Sequence, residues 1–99
     1  MSHIILLEQP AGKDTRTYRD YENMKQCSEY LVKLFERTLK QLNPGVKNIS
    51  YSVSDVVNFL DTYTDLCVLS FQNQTDTYAP RQRQWVKKQV SNYMKQREP

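Results

Sequence analysis

The sequence predicts an α+β domain: a four-stranded antiparallel sheet with three helices packed on one face, in the order β-β-α-α-β-β-α. Three observations carry that expectation. Two short segments, around Ile4–Leu7 and Leu66–Phe71, are apolar at consecutive positions, so both faces of each strand are apolar. Each is followed, one turn later, by a shorter strand-like stretch, which makes two hairpins. Three longer stretches repeat apolar residues every three or four positions, as amphipathic helices do.

The first strand is read over His3-Ile4-Ile5-Leu6-Leu7-Glu8-Gln9. Alternation sends Ile5 and Leu7 to one face with His3 and Gln9, and Ile4 and Leu6 to the other. Pro10-Ala11-Gly12-Lys13-Asp14 is a turn, and Thr15-Arg16-Thr17-Tyr18 the returning strand. Asp20 is the expected N-cap of the first helix, with Glu22 adding favourable charge to its first turn. Met24, Cys27, Leu31, Leu34, Phe35, Thr38 and Leu42 form the apolar stripe of that helix. Asn43-Pro44-Gly45 ends it after about 22 residues, a rod of roughly 33 Å.

Ser52 and Asp55 have the spacing of a capping box. They open a second helix whose inward side holds Val53, Val56, Val57, Leu60 and Tyr63. Leu66-Cys67-Val68-Leu69-Ser70-Phe71 is the second two-faced strand. Asn73-Gln74-Thr75-Asp76 is its hairpin loop, and Thr77-Tyr78-Ala79 its partner, ended by Pro80. The last helix runs from Arg81 to Arg97, with Trp85, Val86, Val90, Tyr93 and Met94 as its apolar side.

Three helices can cover one side of such a sheet. The other side then presents an apolar patch larger than monomers ordinarily tolerate. A two-fold homodimer hides the same patch on both copies. The expected interface residues are His3, Ile5, Leu7, Gln9, Val68 and Leu69, with Ile4 and Leu6 turned to the helices.

The chain has 99 residues, taken as one domain over 1–99; it is 38% hydrophobic and 25% charged, with only two glycines, which excludes a disordered or low-complexity chain. No apolar run approaches the roughly 20 residues that span a bilayer. The N-terminus lacks the basic, apolar and small-residue pattern of a secretory signal, so the expected compartment is the nucleus or cytosol. Cys27 and Cys67 have neither metal-ligand nor disulfide spacing and are read as small buried hydrophobes. The net charge is +3, but residues 81–98 carry six cations against one anion, a local +5 that leaves −2 for the rest.

No catalytic, cofactor-binding or metal-ligating residues are expected. His3 is the sole histidine, no nucleophile motif accompanies it, and an interface role suits it better than catalysis. Asp61 and Asp65 stand one helical turn apart without a third ligand and read as a solvated face. Gly12 and Gly45 alone cannot build a phosphate loop. Arg81, Arg83, Lys87 and Lys88 could contact phosphates, and Trp85 or Tyr93 could stack on bases. Yet Trp85, Val90 and Tyr93 fit the packing stripe, and no RNA-recognition or helix-turn-helix motif is present. Direct nucleic-acid binding is therefore the alternative reading.

Ser2-His3-Ile4-Ile5-Leu6-Leu7-Glu8-Gln9-Pro10 resembles the opening of the enhancer of rudimentary homologue family. Arg16-Thr17-Tyr18-Arg19-Asp20-Tyr21-Glu22 resembles its RTYxDYE signature. Ile49-Ser50-Tyr51-Ser52-Val53-Ser54 with Phe59-Leu60-Asp61, then Asp65-Leu66, Thr77-Tyr78 with Pro80, and Trp85-Val86-Lys87 continue the pattern in order. The 10–15 and 43–48 loops diverge. The resemblance implies a small, mainly nuclear, non-enzymatic homodimer that joins through its sheet and acts as an adaptor. Its implied partners are peptide segments of nuclear RNA-binding or transcription proteins, in RNA processing and decay, with links to the cell cycle and pyrimidine metabolism. No membrane association is expected. Tyr-rich surfaces suit peptide capture, which makes Tyr18, Tyr21, Tyr30, Tyr51 and Tyr78 the candidate partner-binding residues.

Overall fold

The two-faced segments pair with each other. β1 (Ile4–Gln9) and β3 (Asp65–Gln72) run antiparallel at the centre of the sheet in the computed structural model, which describes residues 3–97. β2 (Thr17–Tyr21) flanks β1 and β4 (Thr77–Arg81) flanks β3, giving the antiparallel order β2-β1-β3-β4. The helices are α1 (Met24–Leu42), α2 (Val53–Asp61) and α3 (Arg83–Arg97). The predicted architecture and element order are those observed. A single 3-10 turn, Lys13–Thr15, is added in the first hairpin.

Register decides what each face holds. Leu6 lies opposite Val68, and this face receives the helices; Ile5 lies opposite Leu69 on the other. Ile4, Leu6, Leu66 and Val68 join Cys27, Leu31 and Val32 of α1, Val56 and Leu60 of α2, and Val86 and Val90 of α3 in one core. A fully buried leucine in such a core contributes about 1.5–3 kcal/mol relative to exposure.

Several boundaries move from their expected places, each for a local reason. The first hairpin spends more residues turning: Gly12 adopts φ 58°, ψ 170°, a region open to glycine, and the Thr15 hydroxyl donates back to the Gly12 carbonyl. β2 therefore starts at Thr17 and runs to Tyr21, which places Asp20 inside the strand opposite Ile5. Asn23, not Asp20, caps α1, its side chain accepting from the Gln26 amide at 2.9 Å. The buried side of α1 includes Ser28 and Val32, whereas Leu42 at its end is 74% exposed.

The expected capping box of α2 is present. The Asp55 amide donates to the Ser52 hydroxyl at 3.2 Å, and the Ser52 amide to the Asp55 carboxylate at 2.8 Å. β4 does not stop at Pro80 but continues through it to Arg81. Proline is tolerated there because β4 is an edge strand and its missing N–H costs no ladder bond. Arg81 accordingly belongs to the sheet, and α3 begins at Arg83.

In urea unfolding, Leu6→Ala should cost about 2–5 kcal/mol, as a large-to-small change in a filled core does. Ser52→Ala should cost about 1 kcal/mol through the lost cap. A Leu6→Ala variant as stable as the native chain would contradict the assignment of Leu6 to the helix-covered face.

Candidate interaction surface

The face turned away from the helices is built by the same alternation that fills the core. Ile5 and Leu7 stand opposite Leu69 and Cys67, and all four are half-buried. On β2, Tyr18 lies opposite Leu7 and Asp20 opposite Ile5; on β4, Tyr78 lies opposite Phe71 and Pro80 opposite Leu69. The Phe71 ring meets Tyr78 edge-on at 5.2 Å and His3 at 5.9 Å, and the Phe71 amide donates to the His3 carbonyl at 2.8 Å. Tyr18 is 64% exposed. An apolar band thus crosses all four strands, with the polar His3 and Asp20 among its members.

Two expected interface residues are not on this band. Val68 is fully buried in the helix-side core. Neighbours on a strand point to opposite faces, so Val68 and Leu69 cannot share one, and only Leu69 stays on the open side. Gln9 has the parity of the open face but is only 5% exposed. Its Nε2 donates to the Gly12 carbonyl at 2.8 Å and its Oε1 accepts from Arg16 Nε at 3.0 Å, so it fastens the first hairpin loop. Cys67 and Phe71 take their place. Counting by twos from Leu69 would have found both.

The five candidate tyrosines divide between two surfaces. Tyr18 and Tyr78 are on the open sheet face, whereas Tyr21, Tyr30 and Tyr51 belong to the helical side. Tyr21 and Tyr30 rings lie 5.8 Å apart, and the Arg19 guanidinium sits 4.7 Å from the Tyr30 centroid. Arg19 also donates to the buried Glu8 carboxylate at 3.1 Å. Burial pushes the Tyr21 hydroxyl up to about 12; burial first and the Glu8 carboxylate second do the same to Tyr30. Tyr51 donates to Glu36 at 2.6 Å and packs edge-on against Phe35 at 5.1 Å.

The cations near α3 are largely engaged within the fold. Arg83 donates to the Asp61 and Tyr63 carbonyls at 3.2 and 2.7 Å, and Lys87 holds the Asp61 carboxylate at 2.8 Å. Both therefore fasten α3 to the C-terminal end of α2, where a cation also meets the favourable end of the helix dipole. The Arg81 guanidinium lies over the Trp85 ring at 5.4 Å. Lys88 is exposed. Asp65 faces Arg16 at 3.7 Å, so Asp61 and Asp65 are drawn to different cations rather than to one another. Cys27 is buried, its thiol pushed up to about 12, while Cys67 sits on the open face, its thiol raised chiefly by partial burial. Among the described residues, no helix is long and apolar enough to cross a membrane.

The sequence profile of the enhancer of rudimentary family matches residues 1–98. A protein enhancer of rudimentary from Drosophila virilis is 41% identical over 97 residues, covering 97% of this chain and 93% of the relative. The enhancer of rudimentary homolog of Arabidopsis thaliana is 38% identical over 92 residues, covering 93% and 84% of the two chains. That of Dictyostelium discoideum is 37% identical over 95 residues, covering 95% of each. None of the three is named for an enzymatic activity.

Alkali should destabilise the fold with a defined onset. Cys27 ionises near 9.0 and Tyr21 and Tyr30 near 10.0 when unperturbed, against about 12 for each in the folded chain. The unfolded state therefore releases these protons first. Stability is full below pH 9 and falls as pH rises towards 12. The urea midpoint should hold between pH 7 and 8.5 and decline above 9, with the onset moved towards pH 10 in Cys27→Ala. A midpoint that stayed flat to pH 11 would contradict the burial of these groups.

Proposed function

The chain belongs to the enhancer of rudimentary family, and on that premise we propose that it works as a non-enzymatic homodimeric adaptor in the nucleus, binding peptide segments of RNA-processing, RNA-decay or transcription proteins. The observation that carries the reading is the open sheet face, where Ile5, Leu7, Leu69 and Phe71 form an apolar band against which, among the described residues, no helix packs. A second copy turned by a two-fold axis offers the same band, so each copy's exposed strip becomes the other's cover. Removing that apolar area from water supplies the driving force, as in other obligate pairs.

Dimerisation gives the adaptor its reach. Every surface outside the band is then present twice, and two linked sites hold a partner with two recognition segments more tightly than either alone. Direct nucleic-acid binding is the weaker reading, because Arg83 and Lys87 hold Asp61 and the end of α2 rather than standing free for phosphates.

Ile5→Arg places a charge in the middle of the band. It should weaken self-association about 100-fold or more, since an unpaired charge in a buried interface costs roughly 3–5 kcal/mol. Sedimentation velocity reads this directly, and a folded Ile5→Arg variant that remained dimeric would refute the interface. Capture from nuclear extract, native chain against Ile5→Arg, then tests whether partner binding needs the pair. Charge reversal of the exposed Lys88, which unlike Lys87 does not hold Asp61, should lower any RNA affinity across a salt series while leaving partner capture intact; loss of capture with RNA affinity would favour the nucleic-acid reading.

A further inference from the structure

The helical layer holds a feature that the sheet face does not account for. α1 and α3 lie side by side, and a half-open groove of about 490 Å³ runs between the first turns of α1 and the C-terminal half of α3. That volume lies within the range of small-ligand sites. Lys25 and Ser28 line it from α1, and Gln89, Asn92, Gln96 and Arg97 from α3. Met24 and Tyr93 complete the lining, so two cations, three carboxamides and two hydroxyl-bearing side chains meet there, and no carboxylate is among the lining groups.

Ser28 is the telling residue. It is 1% exposed, and its Oγ has no hydrogen-bond partner. A serine inside a helix commonly returns its hydroxyl to the carbonyl one turn back, and buried hydroxyls are nearly always satisfied. An unpaired one carries a desolvation cost that an acceptor entering the groove would remove. The nearest acid along α1, Glu29, is held by Lys33 at 2.9 Å and feels Lys25 and Arg97 only through longer-range attraction, and Lys25 has no ion-pair partner among the described residues.

We propose that this groove receives an aspartate or glutamate side chain of a partner's peptide segment. The Lys25 charge draws the carboxylate in, Arg97 adds its own while donating to the Tyr51 hydroxyl at 3.4 Å, the Ser28 hydroxyl donates to that carboxylate, and the carboxamides of Gln89, Asn92 and Gln96 bond the segment's backbone. A carboxamide both donates and accepts, which suits a peptide bond better than a run of phosphates. Nor does the groove offer a base-stacking platform: Arg97 covers the Tyr93 ring at 5.6 Å, and that ring packs against the core. The proposal rests on the adaptor reading and adds the chemistry of one contact.

The test uses the full chain and a hexaglutamate peptide, with hexaglutamine and a six-nucleotide oligouridylate as parallel probes, followed by amide NMR shifts. Hexaglutamate should move resonances of residues 24–28 and 89–97, saturably, while hexaglutamine should not. Lys25→Glu should weaken binding at least fivefold, whereas Lys88→Glu, the same charge change elsewhere on exposed surface, should leave it within twofold. Ser28→Ala should weaken binding while leaving the thermal midpoint equal or higher, because it removes an unpaired hydroxyl. Shifts scattered over every basic surface, equal losses from Lys25→Glu and Lys88→Glu, or tighter binding of the oligouridylate would each overturn the groove. Sedimentation of the same samples keeps the two readings apart: an intact dimer with no groove binding removes this proposal alone, and a monomeric native chain removes the adaptor dimer alone.

Discussion

The antiparallel register between β1 and β3 is the constraint on which the rest of the molecule depends. With Leu6 opposite Val68, three helices find a continuous apolar floor; with Ile5 opposite Leu69, a second apolar surface is created on the reverse side. A slip of one residue would exchange these sets and send Glu8, held with Arg19 on the helix side, to the open face. Glu8 and Arg19 thus reinforce the pairing. A carboxylate buried at 3% exposure needs its cation, and that cation is on the adjacent strand. The core and the candidate interface are two consequences of one hydrogen-bonding pattern.

That pattern was largely legible in the amino acids. Consecutive apolar residues at Ile4–Leu7 identified a strand apolar on both faces, and Ser52 with Asp55 located the start of α2, because both signals are local. Asp20 misled because it is a good cap in isolation. What displaced it was pairing with β1, which extends β2 to Tyr21, a contact between segments that no window of neighbouring residues contains. Val68 was misplaced against the alternation itself, whose period would have chosen Cys67 and Phe71 beside Leu69. Arg81 went to the helix because proline usually ends a strand, and only the edge position of β4 lets Pro80 remain inside one.

The candidate site was less legible than the fold for a related reason. Five tyrosines look alike in sequence, yet Tyr18 and Tyr78 serve the sheet while Tyr51 is tied to Glu36 and Phe35. The basic C-terminal stretch suggested phosphates, but charge counted along a chain does not reveal its counter-charges. Asp61, more than twenty positions away, occupies Lys87. The unpaired Ser28 hydroxyl carries no sequence signal at all, since its significance lies in what is missing around it.

The proline in β4 also bears on how such a molecule stops growing. A sheet can recruit copies of itself by its flat side or by its rim, and the rim is the route to fibres, because each added strand leaves a fresh rim behind it. Pro80 removes one amide from the outermost rung on that border, so a strand arriving there meets a gap in the ladder. Association through the flat side has the opposite property: two copies facing each other by a two-fold axis leave nothing of that surface to offer a third. The same chain that carries an apolar plane therefore blunts a border, so that growth by strand addition at β4 is disfavoured while the flat face stays open.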